Sequence, residues 1–588
     1  MNRHIGLLLL AAATLVSPLL KPAIAQEVKD LSAIELLPEG SLAVVQMPHP
    51  DRLLTTLTRH TIWQKVKEQP EYRKAVVNPG YLFFLGIVKT VEDQMGMSWR
   101  EAYDTVLGGG ITIAFDPETD GVVALVRAKD GSKLKSVAET LIELGRQDAK
   151  NKGNDPLPEN TYRDITVYGK DDARFAIAGP WIVMVNKDEL GQKIIDTLLD
   201  GSESSLKDNQ KLVDARKSMK GEPTLWAWID LQTIRDAGLA EGLEKNQTEN
   251  PLAELLVGGV LTNIRQTPYV TSALYVTPES MRLQFAAPHK AEWVEEFREY
   301  WFGPESKGAA ELPLETESTI FSLTTYRKVS EMWLRAGDLF DEKMNDELAK
   351  ADANLTTFFA GRDFGEDILG SFSPYLQLIV NRQDFADVLP KPAIRLPSFA
   401  LTGRLVNAEE TRPELRRTFQ SFVGFLNIVG AMQGNPQLDQ DVEFYNEEKI
   451  YTAKFLPEPD EKKSERAKIQ FNFSPSLAFA GDRFVISSSA QLAKDLIDAF
   501  KKPGTRGGQK FVSNTRARLD ASALGEILTD NREQLIAQNM ISDGHTREEA
   551  ERQIGIFLEI VSLFREMSFD VKTIDGQLKL ELAIETKK

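Results

Sequence analysis

A chain of 588 residues has room for roughly three to four domains of ordinary size, or for two large ones. Its 42% hydrophobic and 27% charged residues exclude a disordered, collagenous or polytopic membrane protein. A formal net charge of −17 disfavours nucleic acid and anionic lipid surfaces as partners, and the absence of cysteine excludes disulfides, thiolate metal sites and cysteine nucleophiles.

Residues 1–25 read as a signal peptide. Arg3 and His4 form a positive start, residues 5–16 are mostly apolar, and Ala23, Ile24 and Ala25 put small residues where a signal peptidase reads. Cleavage is predicted between Ala25 and Gln26. The apolar run is shorter than the ~20 residues of a spanning helix, so the mature chain is expected to carry no transmembrane helix and to reach the periplasm or the exterior.

The mature chain opens with a turn at Pro38, Glu39 and Gly40 that feeds an apolar strand at 42–47. Helices are predicted at 50–57, 62–66 and 99–107, the last stopped by Gly108, Gly109 and Gly110, and strands at 111–115 and 122–127. Leu134, Val137, Ala138, Leu141 and Leu144 recur at spacings of three and four, which predicts a helix with one apolar face. Residues 174–178 and 181–185 read as a hairpin about Gly179 and Pro180, with a helix after it. Strands at 225–229, 270–276 and 281–285 complete a first domain, residues 26–286. Trp293, Phe297 and Trp301 stand four apart and predict a linker helix running into an acidic stretch rich in Gly and Pro. Residues 287–316 are therefore expected to join the first domain to a second, residues 317–588.

The second domain repeats the first in order, which predicts an internal duplication. Tyr162 and Tyr168 precede Ala178 and Gly179 and then a helix holding Ile194, Ile195 and Asp196; Tyr445 and Tyr451 precede Ala480 and Gly481 and then Leu496, Ile497 and Asp498. Each tyrosine pair is six apart, so on one strand both rings would face the same side. Residues 456–468 are the largest insertion in the second copy, and their charge and prolines predict a protruding hairpin tip. Adjacent strands with short turns require antiparallel pairing. The expected fold class is α+β, two tandem homologous domains, each a largely antiparallel sheet with packed helices.

Motifs of chemistry are sparse. No two of His4, His49, His60, His289 and His545 stand at the spacing of a zinc-binding helix, so they read as isolated surface side chains. Residues 504–510 lack the Gly-Lys-Ser/Thr of a phosphate loop, no calcium loop is present, and no serine sits in a nucleophile elbow. No cofactor or metal is expected. Asp230 and Asp520 recur at matching strand ends, each before a helix-like stretch, and read as helix caps or as catalytic carboxylates.

The repeated tyrosine pairs, the Ala-Gly hairpins with their Ile-Asp helices and the opening Leu-Pro-Glu-Gly-Ser-Leu-Ala-Val-Val segment resemble an exported bacterial family, the domain-of-unknown-function group numbered 3352. The resemblance implies a bacterial envelope protein and carries no catalytic residues with it. The expected function is that of an exported, non-enzymatic protein that binds or scaffolds an envelope partner or an apolar ligand. An envelope hydrolase using carboxylates and a carrier of a hydrophobic ligand are the alternatives.

Overall fold

The computed structural model describes residues 28–587 apart from 69, 154, 156, 171, 241–246, 360, 387–388, 433, 435, 460, 465 and 503–511. Ala25, Gln26 and the signal peptide lie outside the described residues, as do residues 504–510. The chain is α+β, its strands paired antiparallel and interleaved with many helices. It divides into two compact units, Met1–Leu239 with Pro268–Phe285, and Ala240–Thr267 with Ala286–Lys588. The chain thus passes between units three times, whereas one crossing at a linker was expected.

Unit 1 is built on strands β1 (Ala43–Met47), β2 (Ile111–Asp116), β3 (Gly121–Arg127), β4 (Glu159–Tyr162), β5 (Ile165–Lys170), β6 (Ala173–Ala178), β7 (Trp181–Val185), β8 (Leu225–Asp230), β9 (Tyr269–Thr277) and β10 (Ser280–Pro288). Antiparallel pairing sets the order β4-β5-β6-β7-β3-β2-β1-β8-β9. In β2, Thr112, Ala114 and Asp116 are buried while the residues between them are less so, the period of two that a half-buried strand demands. Helix Asp188–Asp200 lays Leu190, Ile194, Ile195 and Leu198 on the sheet, where they join Val123, Leu125 and Trp181 in one core. Each such side chain contributes about 1.5–3 kcal/mol.

Unit 2 holds β11 (Thr319–Tyr326), β12 (Phe372–Asn381), β13 (Ser398–Leu405), β14 (Leu438–Tyr445), β15 (Glu448–Phe455), β16 (Ser476–Ala480), β17 (Arg483–Ser487), β18 (Ser513–Asp520), β19 (Phe564–Ile574) and β20 (Gln577–Thr586). Their order, β14-β15-β16-β17-β13-β12-β11-β18-β19-β20, follows the unit 1 order strand for strand as far as β19, and β20 pairs with β19 as β10 pairs with β9. Helix Ala490–Lys501, capped by Ser489, buries Leu492, Leu496, Ile497 and Phe500 against this sheet.

Three local expectations differ from the structure. The aromatic stretch expected as one linker helix is broken into two 3-10 turns, Ala291–Trp293 and Glu296–Arg298, and a short helix, Glu299–Phe302. Tyr300, Trp301 and Phe302 are buried in a core with Leu339, Phe340, Val571 and Leu578, so this stretch is part of unit 2 and not a spacer. Residues 456–468 do not protrude as a free tip: the Ala467 amide donates to the Lys391 carbonyl at 2.9 Å, and the Lys391 and Ala393 amides donate to the carbonyls of Ser464 and Ala467 at 2.8 and 2.9 Å, which ties the excursion down. The paired tyrosines do not share a strand. Tyr162 ends β4 and Tyr168 lies on β5, and Tyr445 and Tyr451 likewise occupy β14 and β15, because a two-residue turn falls between each pair.

Candidate functional site

The two recurring aspartates occupy matching places. Asp230 is buried at the end of β8, where Oδ1 accepts from the Thr233 amide at 3.0 Å and Oδ2 meets Lys211 Nζ at 2.6 Å. Asp520 ends β18 and accepts from the amides of Ser522 and Ala523 at 2.9 and 3.0 Å. Each is the N-cap of the next helix, Leu231–Asp236 and Ala521–Asp530. A carboxylate so engaged satisfies amide donors that the first helical turn would leave orphaned. Asp520→Ala is expected to cost about 0.5–2 kcal/mol in denaturant unfolding, whereas Asp520→Asn, which keeps the accepting oxygen, should leave stability within a few tenths. Equal losses for both substitutions would contradict capping.

A second constellation recurs that sequence inspection passed over. The turn between β4 and β5 has Arg163 and Asp164 at φ 48° and 63°, and that between β14 and β15 has Asn446 and Glu447 at φ 47° and 71°. Two consecutive positive φ values make the hairpin turn whose twist matches the strands, a conformation that ordinarily favours Asn or Gly. Side chains from the following helix hold it. Tyr162 OH donates to Asp196 at 2.9 Å and Arg163 reaches Asp196 and Asp200, while Tyr445 OH donates to Asp498 at 2.7 Å and Asn446 Nδ2 to the same carboxylate at 2.6 Å. The carboxylate beside it raises the Tyr162 hydroxyl above its usual range, as it does for Tyr445. The signal is present in the sequence as a tyrosine and an aspartate that recur in the two stretches.

The densest polar chemistry lies inside unit 2. Helix Pro251–Gln266 places Glu254 with no exposure beside Arg298, also unexposed, in a two-pronged pair at 3.0 and 3.2 Å. Arg298 Nη1 further donates to Thr262 Oγ1 at 2.9 Å, and Tyr300 OH donates to Glu254 Oε1 at 2.9 Å. Arg327, at the end of β11, donates to Asn514 Oδ1 at 2.6 Å and Thr515 Oγ1 at 2.9 Å and lies 4.2 Å above the Trp301 ring. Burial pulls its guanidinium down to about 9 and pushes the Tyr300 hydroxyl far up. A fork-to-fork pair with its remaining donors occupied is the arrangement a buried charge requires. It locks elements together and leaves no oxygen of Glu254 aimed at a ligand.

Beside this network a shallow cleft opens between the turn Pro304–Ser306 and the edge-to-face pair Tyr326 and Tyr375, whose ring centroids are 5.9 Å apart. Glu305 and Lys307 pair at its rim. Gly308 lets the turn close: a Cβ there would stand 2.5 Å from the Phe302 carbonyl and 2.7 Å from the Tyr326 ring. Aromatic walls with a charged rim suit a small apolar group.

The histidines correct an expectation, since they are not all isolated surface side chains. His49 pairs with Glu222 at 2.8 Å, His60 and His289 are buried, and His545 Nδ1 meets Asn539 Oδ1 at 2.9 Å. Among the described residues no three His, Asp or Glu side chains are grouped to hold a metal ion.

No family model matches this chain, and no curated protein matches it. Among solved structures, crystal forms III, IV and I of TP0453 are similar over 44% of this chain and 79–81% of theirs, at 8–10% identity and TM-scores of 0.23–0.24. Similarity at that level carries no argument about what this chain does.

Proposed function

We propose that the chain is an exported, non-enzymatic bacterial envelope protein of the domain-of-unknown-function group numbered 3352, which binds or scaffolds an envelope partner through two duplicated α+β domains. The observation that carries the reading is the recurrence, in equivalent strand order, of a tyrosine–aspartate clasp on a positive-φ turn and of an aspartate spent as a helix cap. Two copies of one structural solution support duplication. The acids that recur with them are engaged in holding the fold, which supports binding over hydrolysis.

The discriminating experiment uses the double variant Asp230→Asn/Asp520→Asn. Purified wild-type protein and variant are incubated with envelope material, and soluble products are measured beside the melting temperature. No product release from either is the expected result. Release by the wild type that the variant loses at an unchanged melting temperature overturns the non-enzymatic reading in favour of a carboxylate hydrolase. The cleft at Tyr326 and Tyr375 favours a second reading, a carrier of a small hydrophobic molecule. Organic extraction of the purified protein followed by mass spectrometry tests it, and recovery of no bound species counts against it.

A further inference from the structure

Between β1 and β2 of unit 1 the chain forms five helices: Pro50–Arg59, Thr61–Glu68, Pro70–Val76, Pro79–Met95 and Trp99–Leu107. Twenty-one of the fifty residues from 51 to 100 are apolar, a share equal to the 42% of the whole chain. Yet among those described only His60 is buried. Large apolar side chains stand open instead: Trp63, Val66, Val77 at 65% exposure, Tyr81, Leu82 at 52% and Leu85. The equivalent stretch of unit 2, between β11 and β12, behaves otherwise, since Leu339 and Phe340 are sunk in a core. Average hydrophobicity with none of the described apolar side chains fully buried marks a surface that something covers.

Charge indicates what covers it. The same fifty residues hold eight lysines and arginines against five acids, in a chain whose net charge is −17. Three of those acids pair with bases, Asp51 with Lys129 at 2.6 Å, Glu68 with Lys65 at 2.8 Å and Asp93 with Lys89 at 2.8 Å, and Arg52 pairs in turn with Glu222 at 3.3 Å, so the surplus rests on Arg59, Lys67, Arg73, Lys74 and Arg100. Lys67 lies 5.7 Å over the Trp63 ring, which itself packs edge-on against Tyr72. Basic residues interleaved with aromatic and aliphatic ones on short helices are the composition of an interfacial membrane contact, in which rings sit at headgroup level and cations meet lipid phosphates. The apolar run from Tyr81 to Val88 is too short to span a bilayer, and no described helix is long and apolar enough to cross a membrane. Local charge, falling off within about 8 Å at physiological salt, outweighs here the overall acidity that disfavours such a partner.

We propose that the helices from Pro50 to Met95 form a docking surface for an anionic lipid membrane, lying in its interface with Trp63, Tyr81, Leu82 and Leu85 inserted. This inference does not depend on the duplication or on the absence of catalysis. The test is flotation of the purified full-length chain with vesicles of phosphatidylcholine and phosphatidylglycerol at three to one, against vesicles of phosphatidylcholine alone. Co-flotation with the anionic vesicles is expected. It should fall at least tenfold in Leu82→Glu/Leu85→Glu and in Lys67→Gln/Arg73→Gln/Lys74→Gln. The residues are exposed, so both variants should keep the wild-type melting temperature, and either suffices should the other misfold. Absence of co-flotation, equal binding to neutral vesicles, or undiminished binding by the folded variants overturns the proposal. Self-association that Leu82→Glu/Leu85→Glu abolishes, without flotation, would assign the surface to a second copy and overturn it equally.

Discussion

Glu254→Ala is expected to destabilise unit 2 by about 3–5 kcal/mol, the largest single effect foreseen in this chain. The substitution removes both acceptors of the Arg298 fork and one acceptor of Tyr300, and leaves an unexposed guanidinium without the carboxylate that balances its charge. A desolvated cation without its counter-ion costs far more than the pair contributes when intact. Denaturant unfolding followed through Trp301 and amide exchange in helix Pro251–Gln266 measures the loss. A change below about 1 kcal/mol would mean that the pair is not held as described. The double variant Glu254→Leu/Arg298→Met separates charge from packing, because replacing a buried pair by apolar residues of similar volume is often neutral. Stability near wild type in the double variant, beside the large single loss, is the expected pattern.

Acidification from pH 7 to pH 4 is expected to remove about 3 kcal/mol through His289 alone. Its ring is buried, stacked on Phe302 at 4.8 Å, with Nδ1 against Asn263 Oδ1 at 2.7 Å, and burial pulls its pKa down to about 4. The fold therefore holds the neutral ring, whereas the unfolded chain takes up a proton near pH 6.5. Stability from this group is complete above pH 6.5, declines as pH falls below it, and stops changing beneath about 4. His289→Gln removes the titration while offering Asn263 a donor. Its unfolding free energy should be flatter than that of wild type between pH 6.5 and 4, and parallel curves would refute the assignment. Glu35, held down to about 2 chiefly by Lys207 and the Ser32 backbone, adds a slope of its own as pH falls through 4.5, but it does so equally in both proteins and cancels from the comparison.

Local features were readable because they depend on near neighbours. The apolar period of helix Asp188–Asp200, the glycine at φ 58° that turns Ala178 into Trp181, and the capping aspartates each follow from a few adjacent residues. The clasp is half legible: the repeated tyrosines and aspartates are visible in the sequence, but an even spacing describes one strand only where no turn lies between, and here a two-residue turn does. Trp293, Phe297 and Trp301 misled for a similar reason, since periodicity of four describes a helix only where the backbone stays helical, and Val294 is extended. Arg298, one residue from Phe297, is drawn inward by a carboxylate forty-four positions earlier, a demand that local pattern does not contain.

By itself, then, the sequence determined the α+β class, the antiparallel pairing, the recurring turns and the exclusion of cysteine chemistry, because these rest on composition and on short-range periodicity. The tertiary structure alone decided that Ala240–Thr267 belongs to unit 2, that the recurring acids are caps, and that none of the apolar side chains described between residues 51 and 100 is buried. Those outcomes turn on which distant groups share a dry interior. Desolvation acts on whatever the fold brings together, and is indifferent to separation along the chain.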